Sequence, residues 1–370
     1  MRNEVKSASG GTPKIALFYD WLNQWGGAEK VLLDLIKLYP KAPIYTLIYD
    51  PKKTKWLPKD VKIIPSFLNK LSPSKKNTVL HTPLYSTAVR NFDFSKFDIV
   101  ISTSSTVGHH LSVPKKTIFL CYLHNVNRHI YQQKYLWPLS YLISKYKQKD
   151  EIYAKNPDYF FCNSKTVQER IKNNYKRKAK VIYPGIDTSF FVPSKNISKE
   201  KYFLIVSRLV SHKKIDIAIK ACHQLNKKLY IVGTGRDKNK LNKLINSLKN
   251  KNVKLLGQID NNKLLNLYQG CLALICPQLE DFGLTPIEAQ ACGKPIIAYN
   301  KGGLTETIIN GKTGIFFNHQ TVEDLISAIE IFNPTNFSKK LCRQNANRFS
   351  NQSFMLNFKK EVDFIWKNHQ

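Results

Sequence analysis

The segment "KIALFYDWLNQWGGAEKVLLDLIKLYP", Lys14 to Pro40, decides the fold class. Its first seven residues include an apolar run typical of a buried strand, and a loop with two glycines follows. The remainder places apolar side chains at helical spacing and ends before Pro40, which cannot continue a helix. The segment therefore predicts a strand, a glycine loop and a helix, the repeating unit of a doubly wound α/β sheet.

The alternation continues outward from this unit along the whole chain. Strand-like runs such as "FDIVIST" and "KTIFLCYLH" follow it, and a polar linker, "YPGIDTSFFVPSKNISKE", precedes a second series that begins at "YFLIVSRL". We predict two Rossmann-like domains facing across a cleft, residues 1–190 and residues 191–350. Residues 351–370 predict an amphipathic C-terminal helix that packs back toward the first domain.

The composition indicates a globular protein with a preference for phosphates. The chain has 370 residues, 42% of them hydrophobic, and a formal charge of +32. Such a charge favours a nucleotide, a nucleic acid or an anionic membrane surface. Residues 1–190 hold 31 basic and 13 acidic side chains and the rest hold 27 and 13, so the excess lies in both halves. An even spread favours a lysine-rich compositional habit over a dedicated basic domain.

The cysteines and the hydropathy of the sequence indicate the cellular compartment of the protein. Seven cysteines occur without a Cys-x-x-Cys pair, which favours buried thiols in a reducing cytoplasm over disulfides or zinc ligands. Neither a signal peptide nor an apolar run of about 18 to 20 residues is found, so we expect at most peripheral contact with a membrane.

The stretch "LEDFGLTPIEAQACGKP", Leu279 to Pro295, admits three interpretations. Asp-Phe-Gly occurs in protein kinases, but the His-Arg-Asp and N-terminal glycine-rich motifs of kinases are absent. A second interpretation is a capping box, with Thr285 at the N-cap, Pro286 at the first helical position and Glu288 at the third. In the third, the helix start binds phosphate and Glu288 binds the vicinal hydroxyls of a ribose.

Further residues support the phosphate interpretation. The helix follows the strand "LALICPQ", and open parallel sheets bind ligands at the carboxyl ends of their strands. Arg208 and Lys213, in "VSRLVSHKK", follow the first strand of the second domain and predict an anion clamp at the edge where Glu280 lies. Gly233, in "IVGTGRD", predicts a tight turn from strand to loop.

These motifs resemble family 4 glycosyltransferases of the GT-B fold, which carry a Glu-x7-Glu motif. The resemblance rests on "SRLVSHKK", "VGTG", "VKLLGQI", "EDFGLTPIEAQACGKPIIAYNKGGLTETI" and "NGKTGIFF", in this order. The first half is similar to a subgroup that includes bacterial O-antigen mannosyltransferases, through "YDWLNQWGGAEKVLLDLI" and "CYLHNVNRHIY". The resemblance covers most of the chain.

The resemblance implies roles for individual residues. Arg208 and Lys213 would bind the donor diphosphate, Glu288 the donor ribose, and Glu280 the donor sugar. Other implied contacts to the donor come from Phe282, Gly283, Leu284, Gly26, Gly27 and Gly233. His124 would face the sugar at the reaction centre, although Asn125-Val126 follows it where the subgroup has Thr-Pro. The alternative for His124 is a hydrogen-bonded histidine at a strand end.

The resemblance also implies the reaction. It predicts a retaining transferase without a cofactor or bound metal, and no Asp-x-Asp motif occurs in the sequence. GDP-mannose is favoured as donor, with a UDP-hexose as the alternative. The aromatic and basic stretch "YQQKYLWPLSYLISKYKQKD" suggests a lipid-linked saccharide acceptor at the inner face of the cell membrane. Competing predictions are a nucleic-acid-binding protein and a sugar-phosphate synthase with a soluble acceptor.

Overall fold

A computed structural model gives the fold, and it describes residues 11–71, 84–131, 136–137, 139–194, 200–249 and 251–369. The chain divides into two units. Unit 1 comprises Met1–Tyr183 and Phe354–Gln370, and unit 2 comprises Pro184–Ser353. Each unit is built on one sheet.

The sheet of unit 1 has seven strands within the described residues. They are β1 (Ile15–Leu22), β2 (Ile44–Tyr49), β3 (Ile63–Pro65), β4 (Ile99–Ser104), β5 (Ile118–Leu123), β6 (Tyr159–Cys162) and β7 (Ala179–Val181). All neighbours are parallel, in the order β3-β2-β1-β4-β5-β6-β7. The chain builds outward from β1 on one side and from β4 on the other, so the carboxyl ends of β1 and β4 form a topological switch point, where such sheets bind ligands.

Helices flank this sheet. They are α1 (Gly27–Leu38), α2 (Leu68–Leu71), α3 (Tyr85–Arg90), α4 (Arg128–Tyr131), α5 (Leu139–Tyr153) and α6 (Lys165–Tyr175), with a 3-10 turn at Gly108–His110. The central strands are almost wholly buried, because helices cover both faces of a parallel sheet. The sequences of β1 and β5 are accordingly near-continuous apolar runs.

Unit 2 repeats the plan with six described strands. They are β8 (Phe203–Val206), β9 (Leu229–Val232), β10 (Val253–Gly257), β11 (Leu274–Cys276), β12 (Ile296–Tyr299) and β13 (Gly314–Phe317). The order is β10-β9-β8-β11-β12-β13, again parallel throughout. The switch point of this sheet lies between β8 and β11.

The helices of unit 2 alternate with its strands. They are α7 (Ile215–Gln224), α8 (Lys238–Ser247), α9 (Asn261–Gly270), α10 (Leu284–Ala291), α11 (Leu304–Thr307), α12 (Val322–Ile331) and α13 (Lys339–Asn347), with 3-10 turns at Ser211–Lys213 and Pro334–Asn336.

The last helix, α14 (Asn351–Lys367), returns to unit 1. Its buried side chains join a core cluster with residues of β1, α1 and β5. These side chains are Phe354, Phe358, Val362 and Ile365. The predicted amphipathic pattern is therefore the face by which α14 completes the core of unit 1.

Two further observations concern the chain as a whole. All seven cysteines are buried free thiols. Within the described ranges, no helix has the length and apolar character needed to cross a bilayer.

Candidate functional site

In unit 2, three predicted residues lie around the switch point. Arg208 lies two residues after the end of β8 and is exposed, and Lys213 is the last residue of the 3-10 turn Ser211–Lys213. Glu280 follows β11, the neighbour of β8 in the sheet. Because the carboxyl ends of these strands meet at one edge, side chains 67 residues apart in sequence come into contact.

Lys213 and Glu280 form an ion pair, with Nζ 2.5 Å from Oε1, and the Lys213 side chain is nearly buried. The Gln278 amide donates a second hydrogen bond to the same carboxylate oxygen at 2.8 Å. Gln278 is buried, and its Oε1 atom has no hydrogen-bond partner among the described residues. Gln278 was not predicted as a site residue, although its place after an apolar strand and two residues before Glu280 was a usable signal.

The start of α10 differs from the capping-box interpretation, which is wrong. The N-cap is Gly283 at φ +92°, the helix begins at Leu284, and no side chain caps it. Pro286 thus falls at the third helical position, where its missing N–H needs no partner. A glycine at positive φ can begin the helix two residues earlier than Thr285 would. The uncapped N–H groups at this end suit an anion.

Glu288 is buried and accepts a hydrogen bond from the Tyr268 hydroxyl at 2.8 Å. Burial raises the pKa of Tyr268 well above its ordinary value, with the nearby Glu288 charge as a second cause. Tyr268 therefore stays a neutral donor that orients the carboxylate. The aromatic ring of Phe282 lies in the core, 5.6 Å from that of Phe349, which leaves the backbone of Phe282 as its contribution to a pocket.

Gly233 has a steric reason to be glycine. It follows β9 directly with φ +135°, and a Cβ atom there would lie 1.9 Å from the Ser207 carbonyl oxygen. The turn after β9 therefore passes close to the segment that carries Arg208.

A second loop reaches the site, because the Gly303 N–H donates to the Glu280 carbonyl at 2.8 Å. Gly303 belongs to the "NKGG" sequence, to which no role was assigned.

In unit 1, Gly26 and Gly27 form the start of α1. Gly26 is the N-cap in extended conformation, without a side-chain cap. Glu29, in the first turn, is buried and accepts hydrogen bonds from Tyr19 Oη at 2.5 Å and Gln24 Nε2 at 3.0 Å. The glycines thus place a helix N-terminus just after β1, at the switch point of this sheet.

His124 follows β5 and is partly buried. Its Nε2 atom lies 2.8 Å from Thr103 Oγ1, and its backbone N–H donates to the Ser104 carbonyl. Burial lowers the pKa of His124 to about 4. At neutral pH the imidazole is therefore uncharged, suited to hydrogen bonding and not to neutralising a phosphate. Asn163 Nδ2 donates to the His124 carbonyl at 3.0 Å and fixes the backbone there.

Asn125, which follows His124 where the subgroup has threonine, makes a polar contact. Arg170 donates to Asn125 Oδ1 at 2.8 Å, which ties α6 to the end of β5. A further residue, Asp20, interrupts the apolar run of β1 and was not predicted for the site. Its buried carboxylate accepts hydrogen bonds from Ser104 Oγ and the Ser105 N–H, both at 2.7 Å. Burial raises the pKa of Asp20, and these bonds oppose the rise.

Comparison with known families gives a match in each half. Residues 25–190 match the family described as "Glycosyltransferase Family 4", and residues 187–349 match "Glycosyl transferases group 1". The two matches meet near the division between units 1 and 2.

Individual relatives are similar at modest identity. An uncharacterised glycosyltransferase of Methanocaldococcus jannaschii is 29% identical over 53% of this chain and 55% of its own. The O-antigen chain mannosyltransferase RfbU of Salmonella typhimurium is 32% identical over 45% of this chain and 48% of its own. The chain spans about half to three fifths of the length of the curated relatives that lead these matches.

Solved structures share the fold. Sucrose-phosphate synthase of Thermosynechococcus elongatus superposes with a TM-score of 0.76 at 17% identity, over 95% of this chain and 100% of that chain. Anabaena HepE in complex with UDP-glucose superposes with a TM-score of 0.72 at 20% identity, over 95% of this chain and 100% of that chain. Together with the two parallel sheets, these likenesses confirm the predicted GT-B fold class.

Proposed function

Because the chain carries a glycosyltransferase family 4 domain followed by a group 1 glycosyltransferase domain, we propose that it transfers a hexose from a nucleotide diphosphate sugar to a saccharide. Mannose from GDP-mannose is the favoured donor, in keeping with the mannosyltransferase RfbU, and a UDP-hexose is the alternative, in keeping with UDP-glucose in HepE. The reaction retains the anomeric configuration through front-face attack, in which the leaving phosphate helps to take the acceptor's proton.

The observation that carries the proposal is the Lys213–Glu280 pair with Gln278 at the switch point of unit 2. In the proposed complex, Lys213 and Arg208 bind the diphosphate, whose negative charge grows as its bond to the sugar breaks. Glu280 holds Lys213 in place and contacts the donor sugar. The Gln278 Oε1 atom is a buried acceptor that a hydroxyl group of the donor can satisfy.

A thermal-shift titration tests the donor class. The purified chain is titrated with GDP, UDP and a short DNA duplex at two salt concentrations. A nucleotide at 100 times its dissociation constant stabilises the fold by about 2.7 kcal/mol. We expect a shift with one diphosphate at both salt concentrations. A shift with DNA alone, lost at higher salt, would instead favour the nucleic-acid-binding alternative that the +32 charge suggests.

Glu280→Gln tests the site itself. The variant keeps the size of the side chain and one acceptor oxygen but removes the charge, so we expect turnover to fall by about 100-fold or more. Glu330→Gln, on the exposed surface of α12, is the matched control and should keep full activity. If Glu280→Gln remains folded and retains wild-type turnover, Glu280 has no catalytic role.

For the acceptor, we propose a lipid-linked saccharide, supported by an exposed apolar surface at the start of α5. Trp137 is 83% exposed, Leu136, Tyr141 and Leu142 are also exposed, and Lys145 lies over the Tyr141 ring at 5.6 Å. Lys134 and Tyr135 of the same predicted stretch lie outside the described residues. Aromatic and leucine side chains beside lysines suit the boundary of an anionic bilayer.

Vesicle co-sedimentation tests this surface. We expect wild-type protein to bind phosphatidylserine-containing vesicles and Trp137→Ala/Lys145→Glu to bind markedly less. Ile331→Ala, which removes an equally exposed apolar side chain from unit 2, should leave binding unchanged. Wild-type protein that ignores anionic vesicles at moderate salt would favour a soluble acceptor.

A further inference from the structure

A buried polar cluster in unit 1 is left unused by the proposed function. It consists of His109 and His110, on the 3-10 turn after β4, and Asp150 on α5, all fully buried. One nitrogen from each imidazole and one carboxylate oxygen lie within 4.8 Å of one another. Three side chains of the types that ligate metals thus converge in the protein interior.

The Nε2 atoms of both histidines lie within hydrogen-bonding distance of the same carboxylate oxygen, Asp150 Oδ1. His109 Nε2 lies 3.0 Å from Asp150 Oδ1, and His110 Nε2 lies 2.8 Å from it. The other oxygen, Oδ2, accepts hydrogen bonds from the hydroxyls of Tyr131 and Tyr175, each at 2.9 Å. The tyrosines come from α4 and α6, so side chains from these two helices and the 3-10 turn hold this one carboxylate in a fixed orientation.

The second nitrogens of the rings also bear on metal binding. His110 Nδ1 lies 2.8 Å from Ser86 Oγ. When Nδ1 carries the proton and donates to the serine, Nε2 presents its lone pair toward Asp150, which is the tautomer that a metal requires. His109 Nδ1 is buried and has no hydrogen-bond partner within the described part of the chain. His110 is therefore the ring whose second nitrogen has the kind of outer partner that a metal-ligating histidine usually has.

The two nitrogen–oxygen separations are close to those around a small divalent ion. With bonds of about 2.0 to 2.2 Å, two ligands of a tetrahedral zinc ion are separated by about 3.3 Å. The observed nitrogen–oxygen separations of 3.0 and 2.8 Å would need to widen by only a few tenths of an ångström. Two imidazoles and one carboxylate are ligands that Zn²⁺ and its neighbours accept, and the hydrogen bonds to Oδ2 are the outer support typical of such sites.

We infer that His109, His110 and Asp150 bind a divalent transition-metal ion of the zinc class, which ties the loop after β4 to α5. The three ligands leave a fourth tetrahedral position for a water molecule or a tyrosine oxygen. Since the ligand side chains are shielded from solvent, the ion has a structural role. The inference is independent of the donor and acceptor assigned above.

The test begins with wild-type protein, free of any affinity tag, that has been stripped with a chelator. Titration with ZnCl2 should saturate at one equivalent and raise Tm, and Co²⁺ should give the visible absorption of a tetrahedral site. If wild-type protein binds neither ion stoichiometrically and its Tm is the same with and without zinc, the inference is wrong and the cluster is a hydrogen-bond network only. This result does not depend on any variant folding.

Variants then locate the ion. His110→Gln and Asp150→Asn should abolish the Co²⁺ absorption, and Tyr175→Phe should weaken Co²⁺ affinity by about 10-fold because it removes an outer hydrogen bond. His319→Gln is the matched control, since His319 pairs with Asp324 at 3.0 Å on the surface of unit 2. Loss of the absorption in His319→Gln, or its survival in folded His110→Gln, would overturn the assignment.

Discussion

At the residue scale, Glu288 has an observed contact with Tyr268 and a proposed contact with the donor ribose, and a pair of variants separates them. Glu288→Ala removes the proposed ribose ligand and leaves the buried Tyr268 hydroxyl without its acceptor. We expect nucleotide binding to weaken by about 1.5 to 3 kcal/mol, the range for a charged hydrogen-bonding group. Tyr268→Phe removes the same hydrogen bond but keeps the carboxylate, so it should lower Tm and bind nucleotide more tightly than Glu288→Ala. Calorimetric titration and thermal melts distinguish the two, and equal affinities would leave Glu288 with a packing role alone.

The pKa of His124 predicts a pH dependence of stability. It is about 4 in the folded protein, against about 6.5 for an unperturbed histidine. Between these values the unfolded chain binds more protons, so the contribution of His124 is complete above about pH 6.5 and is lost as the pH falls toward 4. Melts from pH 7.5 to 5 should show a smaller loss of Tm in His124→Gln than in wild type. Parallel curves for the two proteins would contradict the lowered pKa.

Single residues also show what sequence alone could predict. The positions of Glu280, Lys213 and Arg208 near one sheet edge followed from strand ends. The ion pair between Lys213 and Glu280 could not be predicted, because a sequence pattern shows where a strand ends but not which strand lies beside it in the sheet. Gln278 was missed because a polar residue after an apolar run signals the end of a strand whether or not it belongs to a site. Asp20 was missed because it is a single polar residue inside the apolar strand β1.

At the scale of elements, the start of α10 depends on Gly283. Gly283→Ala places a Cβ at φ +92° and 2.9 Å from Leu304 Cδ2, so we expect a loss of about 1 to 2 kcal/mol from the backbone and more from the contact. Gly257→Ala is the control, because Gly257 has φ +71° with nothing within 4 Å of a Cβ atom. Urea unfolding should therefore show a larger loss for Gly283→Ala. A smaller loss there than in Gly257→Ala would mean that the α10 start tolerates another conformation.

Elements as a class were predictable where their periodicity was strong. Runs such as those of β1 and β5 are almost wholly buried and predominantly apolar. The predicted start of α10 was wrong because Thr-Pro-x-Glu is a typical capping sequence. The structure places the helix start two residues earlier, where Gly283 has a positive φ that the sequence does not reveal.

At the scale of the whole molecule, α14 predicts where the stability of unit 1 lies. Phe358 is completely buried in the cluster shared with β1 and α1, so Phe358→Ala should cost about 3 to 5 kcal/mol. Leu356, on the same helix, is 70% exposed, and Leu356→Ala should change stability by about 0.5 kcal/mol or less. Thermal melts of the two variants should differ clearly, and similar Tm values would show that α14 is not part of the core.

The return of α14 to unit 1 also sets an order of events during synthesis. Domains generally fold as units while the chain emerges from the ribosome, N-terminal parts first. Unit 1 cannot follow this rule to completion, because Phe354 and the residues after it are made only once all of Pro184–Ser353 has been translated. Its seven strands must therefore wait with an uncovered apolar face while unit 2, continuous in sequence, folds ahead of it. The nascent chain is consequently most exposed to misfolding and to chaperone binding at the half that is synthesised first.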